Sequence, residues 1–419
     1  MRTANWMGRP ELGLEHKTLN AIIMPGSHDA GLYLVSASGS LVTKALKPEV
    51  FITQNLNIWD QLRAGSRFFD LRVAECGTGI LSSELRLVHA FEPPLMRGAG
   101  FFGKFGERIE TVLYQVRQFM GSEEAKTGGV NKEVVILRFA HLTDSVRNKL
   151  ISLIPSFLQY AQQETHGKSE IGQEQPTQYK AYMKRALRFC PFSLMPNFLR
   201  YAQREEYDKI GMGKEKPVKY IPGMRRDLRF CSPAPINLAQ CPLRLLQGKV
   251  LVVIEGLIPS EEVSLASRGI FVYKRYTAGP PTVRTISQLG KQGFSRLGLH
   301  VCGYFSNTLA FEQLKTSQLK MLQQHTAEHP PDSDHLCQVY WTHTDNSLLS
   351  QGVRQNSVSI LADLDQASTE TAIDQLIRAG GGSPNIILLD FISPQRSEQV
   401  IKHNLPISPR RYEMPTTLV

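Results

Sequence analysis

Eight short apolar runs, separated by helical or turn-rich stretches, limit what this chain can fold into more than any other feature. They fall at residues 21–25, 66–73, 85–89, 133–139, 249–255, 270–274, 336–341 and 385–391. Apolar strands alternating with helices predict an α/β fold with a parallel sheet. Eight of them fit a (β/α)8 barrel. A second regularity points the same way. His28, Arg72, His89, Arg138, Glu255, Lys274 and Asp390 all stand at, or just past, the carboxyl ends of these runs. That end carries the active site in a barrel, although an open doubly wound sheet also gathers its ligands there.

Between the strands, the spacing predicts helices over 101–120, 145–160, 307–324 and 368–379, and a last one over 397–403. Gly65 stands where a C-cap closes the helix before the second strand. Pro25-Gly26 reads as a turn that ends the first strand. In 66–73, Asp70 and Arg72 are two apart and so share one face. From 161 to 241 the chain turns polar, basic and turn-rich, with Lys180, Lys184, Arg185, Arg188, Arg200 and Arg204 beside apolar clusters. This reads as a helical, basic insertion between the fourth and fifth strands of one domain spanning 1–419. It either packs on the barrel or seats the protein on an anionic bilayer.

Composition narrows the partners. With 42% hydrophobic residues the chain can bury a large core, and its formal net charge of +10 suits acidic partners. The six cysteines are scattered without Cys-x-x-Cys spacing, which argues against a zinc site or a disulfide framework. The first 19 residues lack the apolar region of a signal peptide, and no run approaches a membrane span. A monomer made in the cytoplasm is expected, peripheral to a membrane if its substrate is a lipid; signal-less export stays open.

Two histidines allow one imidazole to accept a proton while the other donates one. An arginine can neutralise phosphoryl oxygens, and a carboxylate behind a histidine fixes its tautomer. Two His with an Arg is the logic of metal-independent phosphodiester cleavage by an internal hydroxyl. At these residues the sequence resembles the X domain of phosphatidylinositol-specific phospholipase C. Pro25-Gly26-Ser27-His28-Asp29 is similar to its first-histidine motif, and Gln61 to Arg72 to its helix-to-second-strand motif. Val88-His89 matches the second histidine, Glu133 to Arg138 the fourth strand and Asn385 to Phe391 the last.

The resemblance implies a distorted TIM-like barrel and a set of roles. His28 would deprotonate the inositol 2-hydroxyl, and His89 would protonate the leaving diacylglycerol oxygen. Arg72 would hold the phosphoryl group, Asp390 would orient His28, and Asp29 would support His89 and Arg72. Arg138, Glu255, Tyr273, Lys274 and Trp341 are candidates for headgroup contact. A fixed cation at Arg72, where calcium-dependent relatives place their metal, implies that neither metal nor other cofactor is needed; Asp70 and Glu75 are the carboxylates that could argue otherwise. No nucleic-acid partner is expected. Two further readings remain: a metal-dependent glycerophosphodiesterase or phospholipase D on a similar barrel, and a non-catalytic phosphoinositide-binding module.

Overall fold

The computed structural model describes residues 3–40, 44, 47–77, 83–90, 103–159, 237–257, 259–266, 269–277, 298–306, 308, 310–328, 334–343, 366–379 and 383–406. Thirteen strands are described: β1 Met24–Ser27, β2 Ala37–Ser38, β3 Phe68–Gly77, β4 Ser83–Ala90, β5 Gly103–Arg108, β6 Lys126–Thr127, β7 Val130–Asn131, β8 Val134–Ala140, β9 Lys249–Glu255, β10 Ile270–Thr277, β11 Leu299–Tyr304, β12 Leu336–Trp341 and β13 Ile386–Leu389. Eight of them, all parallel, follow the order β1-β13-β12-β11-β10-β9-β8-β3, and β1 pairs with β3 to close the barrel.

The closure explains Pro25-Gly26. The pair lies inside β1, not in a turn after it. Here the sheet is tight: a Cβ on Gly26 would come within 2.8 Å of Leu388 Cδ2 and 3.1 Å of the Phe68 carbonyl. Glycine lets β1 fit between β13 and β3, and Pro25 still accepts from the Arg67 amide at 2.9 Å.

Alternation divides each stave between two environments. Inward residues, among them Met24, Phe68, Ile136, Leu251, Val253, Phe271, Tyr273, Tyr340 and Leu388, fill the barrel interior. Its amino-terminal end is plugged by Trp6, Met7, Leu12, Leu14 and Leu19, from a segment whose sequence reads as merely polar. Outward residues of β3, β8, β9 and β10 pack with Val112, Leu113 and Val116 of the helix Ile109–Gly121 and with Leu150 and Ile154 of the helix Asp144–Gln159. Outward residues of β12 and β13 pack with the helices Phe311–Glu328, Gln366–Ala379 and Pro394–Ile401. The helix Ile58–Arg63 begins where the Asn57 side chain accepts from the Asp60 amide, and it leads into Gly65 at φ 111°.

Three expectations are corrected. The stretch beginning at 101 is not one helix, because β5 occupies Gly103–Arg108 before the helix starts at Ile109. Leu299–Tyr304 is a stave that the apolar pattern does not reveal, since His300 and Gly303 interrupt it. The strand bearing His89 is not a stave. β3 pairs in parallel with β8 through residues 68–72, then runs on past the rim and pairs antiparallel with β4 through 73–77. β4, β5 and β2 extend that ribbon. The expected insertion therefore joins the third and fourth staves, β8 and β9. Its residues 161–236 lie outside those described. Among the described residues no helix is long and apolar enough to cross a membrane.

Candidate active site

The residues that converge on the barrel mouth come from staves whose inward parity carries polar groups near the carboxyl end. His28 follows β1, and Asp390 follows the neighbouring β13. Nδ1 of His28 lies 2.8 Å from Asp390 Oδ1. In its neutral form the ring then keeps its proton on Nδ1 and turns the Nε2 lone pair to the mouth. That nitrogen lies 3.3 Å from Arg72 Nη2, a group that can only donate.

Asp29 is the hub. Its Oδ1 is 2.8 Å from Arg72 Nε, an ion pair not aligned as a hydrogen bond. Its Oδ2 is 3.6 Å from His28 Nε2 and 3.8 Å from His89 Nε2, distances of charge contact only. His89 reaches the mouth from β4, with Nδ1 3.1 Å from the Phe51 carbonyl and the Phe51 ring edge-on to it. Thus His28, Arg72 and His89 meet around one buried carboxylate, although only His28 and Arg72 belong to the barrel itself.

Electrostatics set the two imidazoles apart. Burial lowers the pKa of His28, and Arg72 adds to that, but Asp29 and Asp390 outweigh both, so it ends above its ordinary value. Burial also lowers that of His89, with Arg72 and His28 assisting; Asp29 and the Phe51 carbonyl oppose this without reversing it. At rest the proton is held more firmly at His28.

Below this layer, Arg138 is fully buried and bridges Asp70 Oδ1 at 2.6 Å and Glu255 Oε2 at 3.5 Å, with its guanidinium 4.6 Å from the Tyr273 ring centroid. Burial raises the carboxyl pKa of Asp70, but Arg138 and Arg72 overcome it and hold that pKa well below the usual range. Two of the expected headgroup residues are not brought to the mouth. Lys274 has the opposite parity to the inward-facing Tyr273 and so belongs to the outer face. Trp341 packs outside, with Met321 and Ile387 and edge-on to Phe311.

His28, Asp29 and Asp70 carry donor atoms within 4.8 Å of one another, a set that could hold a cation. Arg72 stands against both carboxylates, 3.6 Å from Asp70 Oδ2, and supplies the positive charge there. The donor set therefore fits a guanidinium better than a hard cation, which would have to overcome that repulsion. Glu75 is turned away, to Ser145 at 2.7 Å and Lys149 at 2.9 Å.

Sequence reasoning misses Gln54 and Phe305. Gln54 is fully buried; its amide donates to the carbonyls of His28 and Leu389, both at 2.9 Å, and accepts from the Ile392 amide. It braces the segments that carry His28 and Asp390, and a lone glutamine in a loop gives no sequence signal of that. Phe305 lies 6.2 Å from the His28 ring and edge-on to Tyr340, whose hydroxyl accepts from Arg275 at 2.9 Å.

The coupling predicts a pH effect. In Asp390→Asn, the pKa of His28 falls because a carboxylate that raises it is gone. If His28 must be neutral to act, the alkaline limb of kcat/KM marks the pKa of the more basic imidazole and moves to lower pH. A pH–rate profile checks this; an unmoved limb separates Asp390 from the titration.

No family model matches the chain. Among curated proteins it is 27% identical over 168 residues to "PI-PLC X domain-containing protein 2" of Homo sapiens, covering 36% of this chain and 48% of that one. It is 34% identical over 80 residues to a PI-PLC X domain-containing protein of Dictyostelium discoideum, covering 17% and 14%. The chain thus spans about half the length of the human relative or less of the others named here. Among solved structures it is similar to the phosphatidylinositol-specific phospholipase C from Listeria monocytogenes, with TM-score 0.45 and 14% identity over 97% of this chain and 100% of that one. The corresponding Staphylococcus aureus enzyme gives TM-score 0.47 and 13% identity over 97% and 98%. Over about a third of its length the chain is thus similar to curated proteins named for a PI-PLC X domain.

Proposed function

We propose that the chain cleaves the phosphodiester of phosphatidylinositol or a related phospholipid, as a phospholipase C-like phosphodiesterase. One observation carries the reading: His28, Arg72 and His89, from distant parts of the sequence, surround Asp29 at one rim of a closed barrel. In this reading His28 takes the proton of the inositol 2-hydroxyl, whose oxygen attacks phosphorus. The phosphorus–glycerol oxygen bond breaks, and His89 protonates the departing oxygen. Diacylglycerol and a cyclic inositol phosphate result, and water can open the cyclic ester with the two imidazoles exchanging roles. Arg72 neutralises the non-bridging oxygens. Arg138, Glu255 and Tyr273 line the floor on which a headgroup rests.

The resting protonation order is the reverse of these roles, so a minor fraction of the free protein holds the reactive form. A phosphodiester seated at Arg72 raises the pKa of both imidazoles, so the reactive form remains a minor one. The test is a panel of phospholipid vesicles assayed for diacylglycerol and inositol phosphate, with and without chelator. Turnover should survive chelation, and His89→Ala should lose about 100-fold or more of kcat. Activity that vanishes with chelator would favour the metal-dependent reading, and binding without turnover would favour a non-catalytic module.

A further inference from the structure

Among the described residues, three other than glycine have a positive φ: Asp29 at 39°, His141 at 56° and Phe391 at 48°. All three stand one or two positions past the carboxyl end of a stave, β1, β8 and β13 respectively. Left-handed backbone is costly for residues with a Cβ, and such strain collects where function demands a geometry. Asp29 is the hub of the site. Phe391 follows Asp390, and its amide donates to the Thr53 carbonyl at 2.8 Å. Both are buried, so the surrounding protein enforces their backbone.

His141 is different: its surface stays open to solvent and it is not packed into the core, although the surrounding rim desolvates the ring in part. A glycine would adopt this turn freely, yet a histidine occupies it. The preceding residue, Ala140, is the register partner of Arg72. His141 therefore stands at the same rim as Arg72, one position past the end of the stave that carries Arg138.

We propose that His141 is a further substrate-contacting residue of the barrel mouth, its imidazole bonding a hydroxyl of a polyol headgroup. This rests on the reading of the mouth as a lipid headgroup site. The ring's protonation suits the task. Desolvation beside the mouth lowers its pKa, Arg72 and Arg138 add to this, and Asp70 and Glu255 oppose it without prevailing. The neutral ring offers one N–H and one lone pair, the complement that matches an alcohol. A phosphate would be served better by the arginines.

His141→Gly tests the proposal, because glycine relieves the left-handed backbone and the thermal midpoint separates a loss of activity from a loss of folding. KM for phosphatidylinositol vesicles should rise about tenfold, the scale of one lost hydrogen bond, with kcat changing less. The thermal midpoint should stay the same or rise. His141→Asn, which tolerates the same backbone and keeps a donor and an acceptor, should recover part of the loss. A second arm needs no turnover: glycerophosphoinositol is titrated calorimetrically into His28→Ala and into His28→Ala/His141→Gly. The double variant should bind about tenfold more weakly. Equal affinities, no binding to either protein, or a midpoint lowered by His141→Gly would overturn the proposal. If the wild-type protein shows no turnover but the affinity difference stands, the catalytic reading fails and this one survives.

Discussion

His28→Ala should lower kcat/KM for phosphatidylinositol by roughly 1,000- to 10,000-fold while the protein stays folded. A positioned general base contributes on the order of 100- to 10,000-fold. The upper part of that range is expected because His28 is tied to three other groups. It is bonded to Asp390, faces Arg72 Nη2 and lies against Asp29. Without it, Asp390 keeps the His343 amide at 3.3 Å as a partner, and Asp29 keeps Arg72. Gln54 bonds the backbone carbonyl of residue 28, which alanine retains. The substitution therefore leaves the frame of the site standing. Circular dichroism and a thermal melt establish that the variant is folded, and release of diacylglycerol is the readout. A folded variant that keeps a tenth or more of wild-type turnover removes His28 from the chemistry.

The largest effect on stability is expected at the opposite end of the barrel, from Glu133→Ala. Glu133 and Arg67 are both fully buried and meet at 2.6 Å. Glu133 also accepts from the Gly8 amide at 3.2 Å, while Arg67 donates to the carbonyls of Ala4, Leu62 and Ser66. The pair thus fastens the amino-terminal plug to β3 and β8. Burial pushes the Glu133 carboxyl up, with Arg67 and the Met7 and Gly8 amides only partly offsetting it. Burial likewise pushes the Arg67 guanidinium down against the pull of Glu133. Both shifts run toward the neutral form, so the pair does not fully recover what its desolvation costs. Removing one partner is worse, because the remaining charge stays buried and unmatched: a loss of about 3–5 kcal/mol follows. Urea unfolding measures it, with Glu133→Gln expected to lose less. A loss under about 1 kcal/mol would show that the plug is held by its apolar contacts instead.

Much of the architecture is legible in the sequence, for a simple reason. Staves buried on both faces need near-continuous apolar runs, and β8, β9 and β13 show them plainly. β11 hides because Gly303 is required where a Cβ would stand 2.8 Å from the Gln338 carbonyl. β5 hides for a related reason: a Cβ on Gly106 would fall 2.3 Å from the Gly31 carbonyl, and the glycines around it carry no strand signal. In the site, residue type and strand end gather His28, Arg72, Asp390, Arg138 and Glu255, whereas the place of Asp29 is read only from the family resemblance. Parity, applied strictly, would also have separated Tyr273 from Lys274. Backbone strain at His141 and the bracing amide of Gln54 depend on tertiary placement, which no local pattern encodes.

β3 outruns its neighbours, and the mouth is consequently built from two mechanically distinct pieces. The side that carries His28 is clamped between closed staves, since β1 pairs with both β13 and β3. If His89 donates the proton, the leaving-group side sits on the ribbon that continues β3, which packs on the barrel through Leu85 and Leu87. Changes in the sequence of β4 beside His89 would then retune which alcohol departs, without disturbing how the attack begins.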